Sequence, residues 1–352
     1  MEECDNLQGF QLLADAVDAF GGLADSILVH LQDEYSSKTV ITYPTVPSYY
    51  PDPTPMQDVN RMINILLTYQ KLSENSSLVV PISTNKTAWR NLGSPTEFSN
   101  LIYDQKVSYQ TSAILASFLD TISLKYRLRN DKTSLHDIVS GLTYSDRKIC
   151  AASINMPFAM TPDSYLLDTL ENLDENLPLW NHLTPGCDID SNKIYFQRLV
   201  LRGIPLKRLK NPEVTRSNNQ AYSCTTVEDL VKLYLSFKMS TVSEVSSATI
   251  PLKTLTPFPK IFSPHVSCIG SVDKTADRAE NFEVESVPMM AGIHSCKGVG
   301  RMLDSLLNSV KAINIKRFHH SLIPDVDFDE YNEVLEKVFS MCYGYHSDME
   351  LS

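Results

Sequence analysis

The feature that most constrains this chain's fold lies between Phe10 and Tyr43. Phe10 to Ala14 is a short apolar run. A loop with two adjacent glycines, Gly21 and Gly22, follows it, and then a stretch in which Leu23, Ile27, Leu31 and Tyr35 recur at steps of four. Residues at that step share one face of a helix. Thr39-Val-Ile-Thr-Tyr43 is a compact β-type run. Strand, helix and strand in this order predict a parallel pair joined by a right-handed crossover. The two glycines raise a chemical question. A glycine-bearing turn ahead of a helix lets backbone N–H groups approach phosphates, and the helix N-terminus adds positive potential. Asp15 and Asp18 lie just before it, however, and carboxylates repel a triphosphate unless a cation sits between them. Two readings stay open: a weakened nucleotide site, or a tight loop kept for fold geometry.

The chain has 352 residues, 43% hydrophobic and 21% charged, which fits a soluble globular protein of about two tightly joined domains. Its net charge of −11 argues against nucleic acid, whose binding needs a basic surface to displace counterions. Anionic membrane surfaces are disfavoured for the same reason, while basic or chaperone surfaces are compatible. No apolar stretch is long enough for a transmembrane helix. The acidic start (Glu2, Glu3, Asp5) lacks the pattern of a signal peptide. Seven scattered cysteines, odd in number and widely spaced, point to a reducing compartment. Asn75-Ser-Ser77 and Asn85-Lys-Thr87 match the glycosylation pattern and are read as chance matches.

Further along, Pro44 to Pro55 is a proline-rich loop. A second helix is predicted over about 56–72, with Val59, Met62, Ile63 and Leu66 inward, a buried strand over 77–82, and a helix near 112–122. Strands are expected over 148–156, 194–202 and 282–288, with surface loops over 211–224 and 240–256. The end of the chain reads as helical: Phe328, Tyr331, Leu335, Val338 and Cys342 fall at steps of 3, 4, 3 and 4. Asp325, Asp327, Asp329 and Glu330 crowd its first turn, where the helix dipole favours acids.

Several strings carry a resemblance. Cys4-Asp-Asn-Leu-Gln-Gly-Phe10 resembles the tubulin pattern Cys-x-x-Leu-Gln-Gly-Phe, which leads into a glycine-rich loop and a helix. Asp120 to Leu128, Ser153-Ile-Asn-Met-Pro-Phe158, Leu199-Val-Leu-Arg-Gly203 and Phe318-His-His320 are similar to later tubulin segments, in the same order. Leu7-Gln-Gly-Phe-Gln11 with Leu31-Gln-Asp-Glu-Tyr35, Thr111 to Ala116, Leu119-Asp-Thr121 and Val200-Leu-Arg-Gly-Ile204 look like the Misato family more than tubulin itself. The resemblance implies a tubulin-like α/β fold. A partial parallel nucleotide-type domain (1–110) would precede a smaller mixed α+β domain (111–298) and C-terminal helices (299–352). Family proteins carry an earlier tubulin-like segment, after which this chain is expected to start.

The same resemblance implies a cytosolic, partly mitochondrion-associated protein. Its expected roles are mitochondrial distribution and morphology and spindle microtubule assembly, with the tubulin-folding chaperonin or tubulin as partners and a peripheral outer-membrane association. A non-enzymatic role without a cofactor is expected, with weak GTP binding as the alternative. Gly21, Gly22 and Asn85 are the residues such a degenerate GTP site would use, Asn85 standing where tubulins place Asp-Asn-Glu. A loop cap is the competing role for Asn85. Asp146, in Leu142-Thr-Tyr-Ser-Asp146, matches the acidic tubulin loop that activates water in a neighbouring subunit. Here an N-cap is the plainer expectation. His265 with Cys268, and His294 with Cys296, have poor zinc spacing and read as ordinary β-region residues. Arg198, Arg202, Lys207, Arg208 and Lys210 form the most basic patch, either a solvated face or a site for an acidic partner tail.

Overall fold

The computed structural model describes residues 6–51, 53–89, 94–128, 133–176, 179–189, 193–211, 220–239, 241–279, 281–313 and 328–346. Cys4, Phe318 to His320, Asp325 and Asp327 lie outside them. The chain opens with strand β1 (Gly9–Asp15), helix α1 (Ala19–Tyr35), strand β2 (Thr39–Thr45), helix α2 (Pro55–Asn75) and the short strand β3 (Leu78–Val79). β1 and β2 pair in parallel from Gly9↔Thr39 to Asp15↔Thr45, and β2 pairs in parallel with β3, as the sequence predicted. β1 stands at the sheet edge.

Local chemistry sets the helix starts. Asp18 caps α1, its side chain accepting from Phe20 N. Thr54 and Gln57 form a capping box at α2, with Pro55 inside the first turn, which satisfies donors that a helix start leaves unpaired. α2 is more buried than an amphipathic surface helix. Between Val59 and Ser73 it encloses Arg61, Thr68, Tyr69 and Gln70 as well as its apolar residues, because α1, α8 and α9 (below) all pack on it.

The face of α1 that turns inward is not the one its apolar steps of four mark. Its buried residues are Gly21, Ala24 and Leu28, while Phe20, Leu23 and Ile27 are 59%, 53% and 38% exposed. The inward face is the small one, because close approach to α2 needs little side-chain bulk.

The rest of the chain runs through α3 (Ser108–Ile122), α4 (Leu124–Arg127), α5 (Leu135–Leu142), β4 (Ala151–Asn155), α6 (Leu166–Asn176) and β5 (Asn181–His182). It continues through β6 (Ile194–Arg202), α7 (Val227–Lys238), β7 (Val242–Ala248), β8 (Leu252–Lys253), β9 (Ser286–Val287) and β10 (Met289–Cys296). It closes with α8 (Lys297–Lys311) and α9 (Phe328–His346). Five strands form a mixed sheet in the order β5-β4-β10-β6-β7. β10 is antiparallel to both neighbours, and β6 is parallel to β7. A parallel bridge between Val79 and Ile149 ties the two sheets together.

Two readings of this half change. The expected loop over 240–256 is strand over Val242–Ala248, where β7 completes the sheet with polar residues along its edge. The alternating stretch 282–288 keeps only β9 as strand. The central strand β10 carries no alternation, because all eight of its residues are buried, as expected where both faces of a strand are covered. One apolar cluster joins α1, α2, α7, α8 and α9, and a second joins α3, α5 and β2 to the inner strands.

Candidate functional site

The loop between β1 and α1 is held from both sides. Several of its backbone donors are already used: Ala16 N donates to Thr45 O on β2 at 2.9 Å, and Gly21 N to Asp18 O at 3.3 Å. Val17 N donates to Asp15 Oδ1 at 3.1 Å and Phe20 N to Asp18 Oδ1 at 2.9 Å. Its carbonyls are taken by α2, with Asn64 Nδ2 donating to Val17 O at 2.9 Å and Thr68 Oγ1 to Ala16 O at 3.4 Å. Burial, with the charge of Asp18 added, holds the Asp15 carboxyl above its ordinary value, although the Val17 N–H pulls it down. The two acids therefore take two N–H groups, those of Val17 and Phe20, that a phosphate could otherwise use, and they add negative charge at the same place.

Gly21 and Gly22 do different things. A Cβ on Gly21 would stand 2.1 Å from Thr68 Oγ1, whereas one on Gly22 would meet nothing within 4 Å. Gly21 is thus a helix-contact glycine between α1 and α2. Both glycines line a cavity of about 320 Å³ whose walls include Asp18, Asn64, Lys71 and Tyr331.

Asn85 is elsewhere. It lines a separate cavity of about 360 Å³ with His182, Cys187 and Asp188. It is buried, its Nδ2 donates to Ser48 O at 3.1 Å, and its Oδ1 accepts from Thr87 N at 3.1 Å. Among the described residues these bonds make it a loop cap, in a cavity separate from the one that Gly21 and Gly22 line.

The remaining candidates separate too. Asp146 caps no helix, because the chain proceeds to β4. It follows Ser145 in a loop where both residues have positive φ, 60° and 59°, and it lines a polar cavity with Gln70, Arg147 and Lys148. His265 pairs with Asp277 at 2.9 Å. His294 lies wholly inside the sheet, with Nε2 2.7 Å from Ser153 Oγ and Nδ1 3.1 Å from Gln197 Oε1.

Of the five basic residues Lys207 is exposed, as on a solvated face, while the other four are engaged by the fold. Arg198 pairs with Glu244 and donates to Asp137 O at 2.9 Å. Arg202 is buried, bonded to Asp120 and to the carbonyls of Ile250 and Pro251 at 3.1 Å each. Burial works to raise the Asp120 carboxyl, but hydrogen bonds from Arg202 and Arg127 outweigh it and hold the group below its ordinary value. Arg208 binds Ser164 O at 2.8 Å and Lys210 binds Cys224 O at 2.9 Å. These cations serve the fold by satisfying carbonyls and acids that burial would otherwise strand. Nothing in the sequence distinguishes them from free cations, since their partners are distant in the chain.

A family model described as a tubulin domain matches residues 1–128. Protein misato of Drosophila melanogaster is 33% identical over 348 residues, covering 96% of this chain and 60% of that protein. Protein misato homolog 1 of Bos taurus is 31% identical over 348 residues, covering 98% and 60%. Protein misato homolog 1 of Homo sapiens is 28% identical over 349 residues, covering 98% and 60%. The chain spans about 60% of the length of these curated relatives. With its parallel first sheet, mixed second sheet and covering helices, the fold is tubulin-like.

Proposed function

Because the chain belongs to the Misato family, we propose that it is a tubulin-like protein that works through protein partners and not through nucleotide chemistry. The partners in this reading are the tubulin-folding chaperonin or tubulin. The processes are mitochondrial distribution and morphology and the assembly of spindle microtubules. The protein acts in the cytoplasm and associates peripherally with the mitochondrial outer membrane. Among the described residues no helix is long and apolar enough to cross a membrane.

The observation that supports a non-enzymatic role is the state of the β1–α1 loop. Val17 and Phe20 give their N–H groups to Asp15 and Asp18, and Gly21 is packed against Thr68. Anion binding at a helix start depends on donors pointing outward, and here acids have taken that place. Weak GTP binding is the second reading. It is favoured by the open space at Gly22 and by Lys71 on the wall of the same cavity.

Calorimetric titration of GTP into the protein separates the two. No binding heat is expected. Sub-micromolar binding that disappears in Gly22→Val would overturn the non-enzymatic reading. Gly22 is the position to change, because substitution at Gly21 disturbs the α1–α2 contact as well. Affinity capture scored for chaperonin subunits tests the partner half of the proposal, and failure in several lysates removes it.

A further inference from the structure

The mixed sheet ends in an open edge at β7. This strand pairs in parallel with β6 from Phe196↔Val242 to Arg202↔Ala248, and among the described residues no strand lies on its other side. Backbone groups along a strand turn alternately to one side and the other. Ala248 O accepts from Gly203 N at 2.9 Å, toward β6, so Ser243, Val245 and Ser247 turn their N–H and C=O groups outward. Ser247 N donates to Glu228 Oε1 at 2.9 Å, which closes one end of the edge. Among the described residues nothing takes the outward groups of Ser243 and Val245. Such a row of unpaired groups is a template for another strand.

A cavity of about 720 Å³ lies at this edge. Its walls include Glu244, Val245 and Ser246 of β7, Lys232 of α7, and Asp137 and Ser140 of α5. α7 and α5 cover opposite faces of the sheet: Leu199 and Leu201 of β6 pack in the apolar cluster with α7, and Val200 between them packs in the cluster with α5. A space that reaches both helices and β7 therefore wraps the sheet's edge, as a groove with the open strand for its floor. Lys125, Arg198 and Lys232 outnumber Asp137 and Glu244 on its walls, in a chain whose net charge is −11. Both acids are engaged. Glu244 pairs with Arg198, and Asp137 Oδ2 accepts from Ser134 N at 2.8 Å and Ser134 Oγ at 2.7 Å.

We propose that the β7 edge is a docking site for an extended, acidic segment of a protein partner, which adds to the sheet as a further strand. Main-chain hydrogen bonds to Ser243 and Val245 hold the segment, and acidic side chains on its two faces meet Lys125 and Lys232. A second copy of this chain joined edge to edge would bring like charges together. β1 is also an edge strand, but it ends in Asp15, with Asp18 close behind, and repels such a segment. The proposal rests on the reading that this protein works through partners, and it specifies the chemistry that one of them presents.

The probe is a fluorescein-labelled peptide of glutamate and threonine, seven residues long like β7, with binding to the folded protein followed by anisotropy. Binding is expected, with slower hydrogen exchange across 242–248 when the peptide is present. N-methylation of the peptide main chain removes its donors and is expected to abolish binding, as is lysine in place of glutamate. Lys232→Glu, on an exposed side chain, is expected to weaken binding about fivefold. The proposal is overturned by absence of binding, by equal binding of the lysine or N-methylated peptide, by unchanged affinity in Lys232→Glu, or by exchange that slows on β1 and not across 242–248. Neither chaperonin nor tubulin enters this assay, so its failure is distinct from a failure of affinity capture.

Discussion

His294 makes this protein's stability depend on pH in a direction and amount that follow from its surroundings. The ring is fully buried in β10 between Ser153 on β4 and Gln197 on β6, with the Trp180 ring 4.8 Å away. Gln197 gives its Nε2 to Ser243 Oγ at 2.7 Å, so its Oε1 accepts from His294 Nδ1–H. Nε2 is left to accept from the Ser153 hydroxyl, the arrangement of a neutral imidazole. Burial, with a smaller effect from nearby His182, lowers the His294 pKa from 6.5 to about 3. The unfolded chain takes up a proton below pH 6.5 and the folded one does not. Stability is therefore complete above pH 6.5 and falls as pH drops from there toward 3.

At about 1.4 kcal/mol per pH unit, lowering the pH to 5 removes about 2 kcal/mol through this one residue. Urea unfolding at pH 7 and pH 5, followed by fluorescence of the two tryptophans, measures the loss. His294→Gln cannot titrate. It is expected to cost about 1–3 kcal/mol at pH 7 through disturbed hydrogen bonds, and to shrink the difference between the two pH values by about 2 kcal/mol. His182, whose pKa burial also lowers, remains in both proteins and cancels. Equal losses for wild type and variant between pH 7 and 5 would refute the reasoning.

Four further outcomes are expected. Gly21→Ala drives a Cβ into Thr68 and should cost about 1–3 kcal/mol in a denaturant melt, most of it recovered by adding Thr68→Ala. Gly22→Ala, facing open space, should gain up to about 1 kcal/mol from helix propensity. Arg202→Ala strips a buried cation from Asp120 and from two carbonyls and should lose about 3–5 kcal/mol, a loss that Lys207→Ala, on an exposed side chain, does not share. Thr54→Ala removes the capping box of α2 and should cost about 1 kcal/mol in the same assay.

Elements specified by their own residues were legible in advance. β1, β2 and β6 are short apolar or β-branched runs, and α2 and α9 carry their turns in regular apolar steps. β10 was not legible, because a strand buried on both faces can hold Met, Gly, His and Ser together when neighbouring strands satisfy the polar ones. β7 was hidden for the opposite reason: its polar residues look like a loop until β6 pairs with them. At the candidate site, Asp15 and Asp18 correctly raised the question of charge. What could not be read was that the same two side chains bind the N–H groups of Val17 and Phe20, or that Asn85 lies in another cavity.

The order of elements, the parallel start, the family likeness and the place of the glycine loop came from the sequence by itself. Local spacing and turn chemistry act between residues a few positions apart, and that is where such signals are written. Which face of α1 turns inward, where the buried basic side chains find their acids or carbonyls, and how His294 is enclosed were decided only by the tertiary structure. Each depends on what stands opposite, and in this fold the opposite residue lies tens to hundreds of positions away: Thr68 for Gly21, Asp120 for Arg202, Ser153 for His294.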